Sequence, residues 1–389
     1  MFSSRFHWGF EQNRLTQLLR GKRGSGARVL DLTVSNPTRA GLHYPPEILR
    51  AFGDKRILSY SPAPAGLEEA RAAVSRYYAA RGHAVAAGRI LLTASTSEAY
   101  AYLFKLLCNA GDEVLAPRPS YPLFEFLADM ESVKVRQYPL TYHGAWSIDL
   151  AAIEGMAGER TRAIVLVNPN NPTGSFVKRA EVRELARLCA ARGMALISDE
   201  VFADYAFAPV DGACPTLVDV EECLTFCMSG LSKVAGLPQM KLGWMAVSGP
   251  AALRREAMEK LEWIADTYLS VSTPVQCAAA RLLEAGETVQ RQIRERTAAN
   301  LEFAKRALAG SAAGILGVEA GWYMVVQAPR IRSEEEWTLE LLERDDVLVQ
   351  PGFFYDFESE AFLVVSLLTE RGVFEEGMGR LAERVATAR

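Results

Sequence analysis

The sequence predicts an α/β protein with a large domain built on a mainly parallel, doubly wound sheet and a smaller α+β domain. Short apolar runs alternate with longer helical patterns between residues 90 and 247, which is typical of parallel strands joined by crossover helices. The pattern changes beyond about residue 275, and the chain has 389 residues. A chain of that length usually divides its core between two domains.

Seven apolar runs are the predicted strands of the large sheet: 90–93, 113–116, 133–138, 163–167, 195–198, 224–228 and 244–247. Residues 181–192 have their apolar side chains on one helical face, and Gly193 follows as a stop signal. Beyond residue 275 the sequence predicts a long helix rich in Arg and Glu, a strand at 322–327, a helix at about 334–343 and a strand at 362–367.

Composition excludes several classes of function. The chain is 49% hydrophobic and 23% charged with a net charge of −4, so it has the composition of a globular protein and no basic surface for nucleic acid. The first residues lack the apolar core of a signal peptide, and no run of eighteen apolar residues predicts a membrane span. We therefore expect a cytoplasmic protein. Six cysteines without Cys-x-x-Cys spacing and four scattered histidines predict reduced thiols and no metal site.

Lys233 and Asp199 are the strongest candidates for chemistry. Lys233 ends a Ser/Gly-rich turn at 229–233, and Asp199 ends the apolar run 195–198. A lysine can hold an aldehyde cofactor as a Schiff base, while a carboxylate keeps a pyridine nitrogen protonated. The pairing indicates pyridoxal phosphate, although a single lysine is more often a solvated surface charge.

The loop at residues 168–174, Asn-Pro-Asn-Asn-Pro-Thr-Gly, follows the apolar run 163–167 directly. Its two prolines fix φ and withhold backbone donors, while Asn and Gly tolerate tight turns. A rigid loop at the carboxyl end of a buried strand is a common place for a ligand.

At this point the chain resembles the class I pyridoxal phosphate-dependent aminotransferases of fold type I. Six landmarks of that family occur in order, and they are Tyr60, the segment 93–98 around Thr96, Tyr121, Asn171, Asp199 and Lys233. Each is weak alone, whereas six in one order are specific. The resemblance implies a large cofactor-binding domain at 46–274 and a small domain formed by 1–45 and 275–389.

The resemblance also implies a role for each residue around the cofactor ring. Lys233 forms the Schiff base and then moves the proton between the substrate and the cofactor. Asp199 holds the ring nitrogen in its cationic form, Asn171 donates to the ring's 3-oxygen, and Tyr121 stacks on the ring face.

The cofactor phosphate is expected at the start of the helix that follows residue 95. The segment 95–98 has the sequence of a capping box, which leaves the amides of Thr96 and Ser97 free to bind an anion. The resemblance adds Lys241 and also Tyr60, which reaches the phosphate of the neighbouring subunit. It therefore implies a homodimer.

The sequence departs from the family at three cofactor contacts. Lys241 occupies the place of a phosphate-binding arginine and lacks its two-pronged geometry. Gly230 stands where the family often has a serine on the phosphate, so Ser229 or Ser232 would have to replace it. Phe202 replaces a tyrosine that donates to the ring's 3-oxygen, so we expect an alkaline shift in the spectral titration of the bound cofactor.

The largest departure concerns the substrate. Val364 stands in the last strand where the family has an arginine that binds the substrate α-carboxylate. Either another cation replaces it, with Arg39 beside Asn36 and Arg371 as the candidates, or the substrate has no α-carboxylate in that place.

We therefore expect a ping-pong aminotransferase that moves an amino group between an amino acid and a 2-oxo acid. An alternative is another reaction on the same scaffold, such as that of a lyase, decarboxylase or oxidase, because fold and cofactor motifs do not select the bond that breaks. A third possibility is a scaffold without catalysis, against which Lys233 and Asp199 argue.

Overall fold

Helices and strands alternate along most of the chain. The computed structural model describes residues 2–6, 9 and 12–388. The helices in this part of the chain are α1 (Arg14–Gly24), α2 (Glu47–Arg50), α3 (Glu68–Ala79), α4 (Thr96–Leu107), α5 (Leu123–Met130), α6 (Leu150–Met156), α7 (Arg179–Arg192), α8 (Leu231–Val234), α9 (Ala251–Tyr268), α10 (Thr273–Ala307), α11 (Glu334–Asp345) and α12 (Arg371–Thr387).

The strands are shorter than the helices. They are β1 (Leu30–Asp31), β2 (Ile90–Thr93), β3 (Glu113–Arg118), β4 (Lys134–Tyr142), β5 (Trp146–Ile148), β6 (Thr161–Val167), β7 (Ala195–Asp199), β8 (Thr225–Gly230), β9 (Gly243–Ser248), β10 (Gly314–Ile315), β11 (Tyr323–Gln327), β12 (Val347–Leu348), β13 (Gln350–Pro351) and β14 (Phe362–Ser366).

Eight strands form the large sheet in the order β2-β9-β8-β7-β6-β3-β4-β5. The strands β8, β7, β6, β3 and β4 run parallel, while β9, β2 and β5 are antiparallel to their neighbours. Alternate side chains enter two separate cores: Ile164 and Leu196 lie in one, and Val165 and Ile197 lie in the other. Helices therefore cover both faces, as the apolar runs predict.

All seven predicted strands are present, with bounds that differ by a few residues. The largest difference is at β4, which continues to Tyr142 because Leu140 pairs with Ile148 in a hairpin that the apolar pattern alone does not indicate. The helix predicted at 181–192 begins at Arg179 and ends, as predicted, before Gly193, whose φ is 64°.

The small sheet is antiparallel, with the order β10-β11-β14-β13. One of its faces packs against α10, α11 and α12 through a core that includes Met324, Leu363 and Trp337. The opposite face carries Tyr323 and Val364 and packs against Phe202, which follows β7. This face therefore lies against the carboxyl ends of the large sheet's parallel strands.

Strand β1, from the N-terminal part of the chain, pairs in parallel with β12, from the C-terminal part. The fold is the predicted α/β architecture with a second, smaller sheet. The domain bounds at 46 and 274 stay a prediction. In the part of the chain that the structure describes, no helix is long and apolar enough to cross a membrane.

Candidate active site

A cleft of about 1320 Å³, partly open to solvent, lies between the carboxyl ends of the parallel strands and the small sheet. Six of the eight predicted cofactor residues line it together. They are Thr96, Ser97, Tyr121, Asn171, Asp199 and Lys233. The sequence places these residues far apart, and the parallel strands bring them to one edge of the sheet.

Lys233 lies in the single turn of α8, directly after β8 ends at Gly230. A Cβ atom on Gly230 would lie 3.0 Å from the carbonyl oxygen of Leu242, so a serine there would require the backbone beside it to shift by a few tenths of an ångström. Ser232 lines the cleft instead, while the hydroxyl of Ser229 is buried without a partner. Of the two substitutes predicted for the missing serine, Ser232 is therefore the one placed to reach a ligand.

The Lys233 side chain is held among aromatic rings. Its Nζ lies 4.8 Å from the ring centre of Trp322 and 5.6 Å from that of Phe202. Tyr205 donates a hydrogen bond of 2.5 Å to the Lys233 carbonyl oxygen, which fixes the backbone of the turn. Burial lowers the pKa of Lys233 to about 8, and Asp199 opposes that shift. The amine can therefore lose its proton near neutral pH.

Asp199 is the last residue of β7, and its carboxylate faces the cleft. Burial raises its pKa to about 6, while the Val201 amide, which donates to the carboxylate at 3.3 Å, and Lys233 oppose the rise. Tyr100 lies close enough to affect this pKa, although its hydroxyl has no hydrogen bond of standard geometry. The Asp199 carboxylate therefore lacks a strong cationic partner within the protein. A cationic group bound in the cleft would stabilise its charged form.

Glu200, the next residue, points away from the cleft. Its carboxylate accepts a hydrogen bond of 2.8 Å from the Leu217 amide, and burial raises its pKa to about 7. The two acids are therefore not a solvated pair. The strand separates them, because successive side chains point to opposite faces.

The loop at 168–174 is held in place by hydrogen bonds and close packing. Asn170 is buried and donates to the Pro119 carbonyl oxygen at 3.0 Å, while Gly174 has a φ of 71° and would clash with Ala320 if it carried a Cβ. Asn171 extends from this loop into the cleft lining, and its amide oxygen is buried without a partner. No described residue accepts a hydrogen bond from its amide nitrogen, so this nitrogen is available to a ligand.

The start of α4, where the sequence predicts an anion site, borders the cleft. Ser95 caps the helix by accepting a hydrogen bond of 3.2 Å from the Glu98 amide, and the Glu98 carboxylate accepts one of 2.7 Å from the Ala94 amide. In a standard capping box the Glu98 carboxylate would accept from the amide of the capping residue, Ser95. Here it accepts from the amide one residue earlier, that of Ala94. The amides of Thr96 and Ser97 have no helical acceptor at this position and face the cleft end.

Two of the predicted phosphate contacts lie outside the cleft lining. Lys241 is exposed and has a left-handed backbone with φ 51°, two residues before the strand β9 that pairs with β2. Tyr60 is 73% exposed and lines a separate groove with Leu269. A residue that reaches into a neighbouring subunit would be exposed in the single chain, so the role of Tyr60 stays a prediction.

The three substrate residues suggested by the sequence are not in the cleft lining. Asn36 accepts hydrogen bonds within its own turn, from the amide and hydroxyl of Thr38. Arg39 is exposed at the end of that turn. Arg371 begins α12, where its side chain is 66% exposed and bonds Glu375 at 2.7 Å. The structure therefore does not bring either arginine to the cleft.

The cleft contains polar residues that the sequence analysis did not single out. They are Ser35, Tyr100, Tyr323, Gln350 and Tyr355. Tyr323 lies in a strand that the sequence predicts at 322–327. The alternation of side chains along that strand could have indicated which of them share a face with Tyr323. Val364 is 1% exposed and packs with Tyr323 and Tyr355 on the face of the small sheet that borders the cleft. Phe202, which belongs to the same cluster, is 4% exposed.

The chain is similar to known proteins in sequence and in fold. Residues 27–377 match the family model described as aminotransferase class I and II. The glutamate-pyruvate aminotransferase AlaA of Escherichia coli strain K12 is 30% identical over 266 residues, or 65% of this chain and 63% of that protein. The Haemophilus influenzae AlaA is 27% identical over 374 residues, or 92% and 90%.

The alanine aminotransferase structure from Pyrococcus furiosus superposes with a TM-score of 0.88 at 22% identity and covers 99% of this chain and all of that one. At that identity the likeness concerns the fold alone. The family match covers most of the chain, and the chain belongs to the class I and II aminotransferases.

Proposed function

We propose that the protein is a pyridoxal phosphate-dependent aminotransferase that moves an amino group between an amino acid and a 2-oxo acid by a ping-pong mechanism. The convergence of Lys233, Asp199 and Asn171 on one cleft is the observation that carries the proposal. The family and its aminotransferase relatives support the same activity.

The residues of the cleft fit the cofactor. Asp199 would pair with the ring nitrogen, because its buried carboxylate has a raised pKa and would gain from a cation. The side-chain nitrogen of Asn171, which lines the cleft, can donate to the ring's 3-oxygen, and Tyr121, which is 46% exposed at the cleft, offers an aromatic face. The phosphate would lie at the start of α4, with Thr96, Ser97 and Lys241 around it.

The bound cofactor supplies an electron sink for the electrons left when a substrate bond breaks. Lys233 supplies the proton transfer. Because its pKa is lowered to about 8, its Nζ can accept the proton from the substrate α-carbon and later return a proton. The rings of Trp322 and Phe202 limit where Nζ can move.

The partners in this proposal are a small-molecule amino donor and keto acceptor and a second copy of the chain. The exposure of Tyr60, outside its own cleft, supports a homodimer in which this side chain completes the neighbouring site. A cytoplasmic location belongs to the same proposal.

The test begins with borohydride reduction of the protein after incubation with pyridoxal phosphate. Peptide mapping is expected to find the reduced adduct at Lys233. In a separate, unreduced sample, added amino donor is expected to convert the bound cofactor stoichiometrically to its pyridoxamine form. An adduct at a different lysine would refute the site, whereas an adduct at Lys233 without stoichiometric conversion would favour a lyase or decarboxylase.

A further inference from the structure

The small-sheet wall of the cleft presents two polar side chains, Tyr323 of β11 and Gln350 of β13. Gln350 and Val325 of β11 lie directly opposite the buried Val364 of β14 on its two sides. Tyr323 precedes Val325 by two residues and therefore points to the same face. Two strands thus flank Val364, one carrying the Gln350 amide and the other the Tyr323 hydroxyl.

Both flanking groups can donate to a ligand. The Tyr355 hydroxyl donates to the Gln350 side-chain oxygen, which orients the amide. No described residue accepts a hydrogen bond from the Gln350 side-chain nitrogen. Burial raises the pKa of Tyr323, and Tyr121 raises it further, so its hydroxyl keeps its proton. Ser35 lies beside it in the lining.

The wall has no positive charge. Among the described residues that line the cleft, the charged side chains are Lys233 and Asp199, and both project from the large sheet. Arg371 is paired with Glu375, and Arg39 lies outside the lining. A group bound here would therefore meet hydrogen-bond donors without a countercharge.

We infer, on the basis of the aminotransferase function proposed above, that Tyr323 and Gln350 bind the α-carboxylate of the substrate as a planar hydrogen-bond acceptor. Tyr355 is the positioning residue that orients Gln350. Because neither donor carries a charge that needs a counterion, the same subsite also accepts an α-carboxamide, whose carbonyl oxygen can accept hydrogen bonds from the same groups. The substrate class is therefore α-amino acids and their neutral amides.

The strength of these contacts sets the expected effects. A neutral hydrogen bond changes affinity by roughly 3- to 10-fold, and a charge-assisted one by more. We therefore expect an acid and its amide to bind within about tenfold of each other. An arginine subsite would separate them further, because only the acid completes an ion pair.

The first experiment measures binding of propionate and propionamide by ligand-observed NMR to the cofactor-loaded protein, or to the protein alone if it does not load. Tyr323→Phe and Gln350→Leu are each expected to weaken both ligands roughly 3- to 10-fold. Tyr142→Phe is the matched control, because its hydroxyl accepts from the Gly317 amide outside the cleft. Propionate binding over 100-fold tighter than propionamide, no binding of either, or unchanged binding in both variants would overturn the inference.

The second experiment compares the half-reactions with L-alanine, L-alaninamide and ethylamine. The acid and the amide are expected to react at similar rates and ethylamine at least tenfold more slowly. Tyr355→Phe is expected to raise KM for alanine with little change in kcat and to leave ethylamine unaffected, whereas a general structural defect would slow both. Equal rates for alanine and ethylamine in the unmodified protein would overturn the inference. Failure of all three donors, with propionate binding intact, would contradict the proposed function and leave the subsite standing.

Discussion

The two walls of the cleft differ in charge and in origin. The large-sheet wall carries Lys233, Asp199 and Asn171, each in a loop or strand end that a short stretch of sequence fixes. The small-sheet wall carries Tyr323 and Gln350, which are neutral and come from separate strands. The first wall carries the charged groups that a pyridine ring requires, while the described residues of the second carry none. In the proposed function, cofactor chemistry and substrate selection are therefore supplied by different parts of the chain.

This difference has a physical basis. A ring nitrogen that must stay cationic needs a carboxylate, and no neutral group can replace it. A carboxylate ligand can be held by an arginine or by several neutral donors, with a smaller gain in affinity. The residues of the large-sheet wall are thus constrained by the charge that they must carry. Those of the small-sheet wall can be exchanged for other hydrogen-bond donors.

The largest effect is expected from Lys233→Ala. Removing the amine that transfers the proton should lower kcat by roughly 10⁴-fold, since general acid–base groups contribute up to that factor. The rate at which an amino donor changes the absorption spectrum of the bound cofactor measures this loss. Lys134→Ala, which removes an exposed lysine from β4, is the matched control. Undiminished turnover in Lys233→Ala would remove this residue from the mechanism and with it the distinction between the walls.

Asp199→Asn tests whether the large-sheet wall depends on charge. The amide keeps the shape of the side chain but cannot hold a cationic nitrogen, so we expect kcat to fall by roughly 10²- to 10³-fold. Gln350→Leu on the opposite wall should change KM instead, because it removes a binding contact. A small effect of Asp199→Asn on kcat would contradict the assignment of its carboxylate to the ring.

The large-sheet wall was largely predictable from the sequence, and the small-sheet wall was not. Asn171 and Lys233 stand in turns after buried strands, and parallel strands bring such turns together. Tyr323 and Gln350 meet only through the register of β11, β14 and β13, which no local pattern specifies. Arg371 was suggested by charge and faces Glu375 one helical turn away, a contact that spacing alone could have indicated.

Lys241→Ala concerns the phosphate end of the large-sheet wall. Loss of one exposed charge should weaken pyridoxal phosphate binding by roughly 2- to 5-fold, because solvent screens the contact. Pyridoxal, which has no phosphate, should bind equally well to both proteins. Equilibrium titration of the two cofactors measures the difference, and an equal loss for pyridoxal would assign Lys241 to the local fold and not to the phosphate.

The two buried charges of the large-sheet wall should destabilise the cofactor-free protein most between about pH 6 and 8, where both are present. The pKa of Asp199 is raised to about 6, so its contribution to stability is lost as the pH rises from about 4 to 6. The pKa of Lys233 is lowered to about 8, so its contribution is lost as the pH falls from about 10.5 to 8.

Urea unfolding at pH 5 and pH 7 measures this effect. The free energy of unfolding should fall by about 1 kcal/mol more in the unmodified protein than in Asp199→Asn. Glu200, whose pKa burial raises to about 7, is present in both proteins, so the difference isolates Asp199. Equal pH dependence in the two proteins would show that its carboxylate is not destabilised by burial.

The smallest effect is expected where the two walls meet, at Phe202. Its ring is 4% exposed and lies 5.3 Å from Trp322 and 6.3 Å from Tyr323, centre to centre. In Phe202→Tyr the added hydroxyl can donate to the ring's 3-oxygen and favour its deprotonated form. The spectral titration of the cofactor-loaded protein should therefore shift to lower pH by roughly half a unit. Phe202→Leu, which adds no donor, should leave the midpoint where it is or raise it. A midpoint that moves equally in both variants would mean that Phe202 acts through packing against the small-sheet wall and not through the missing hydrogen bond.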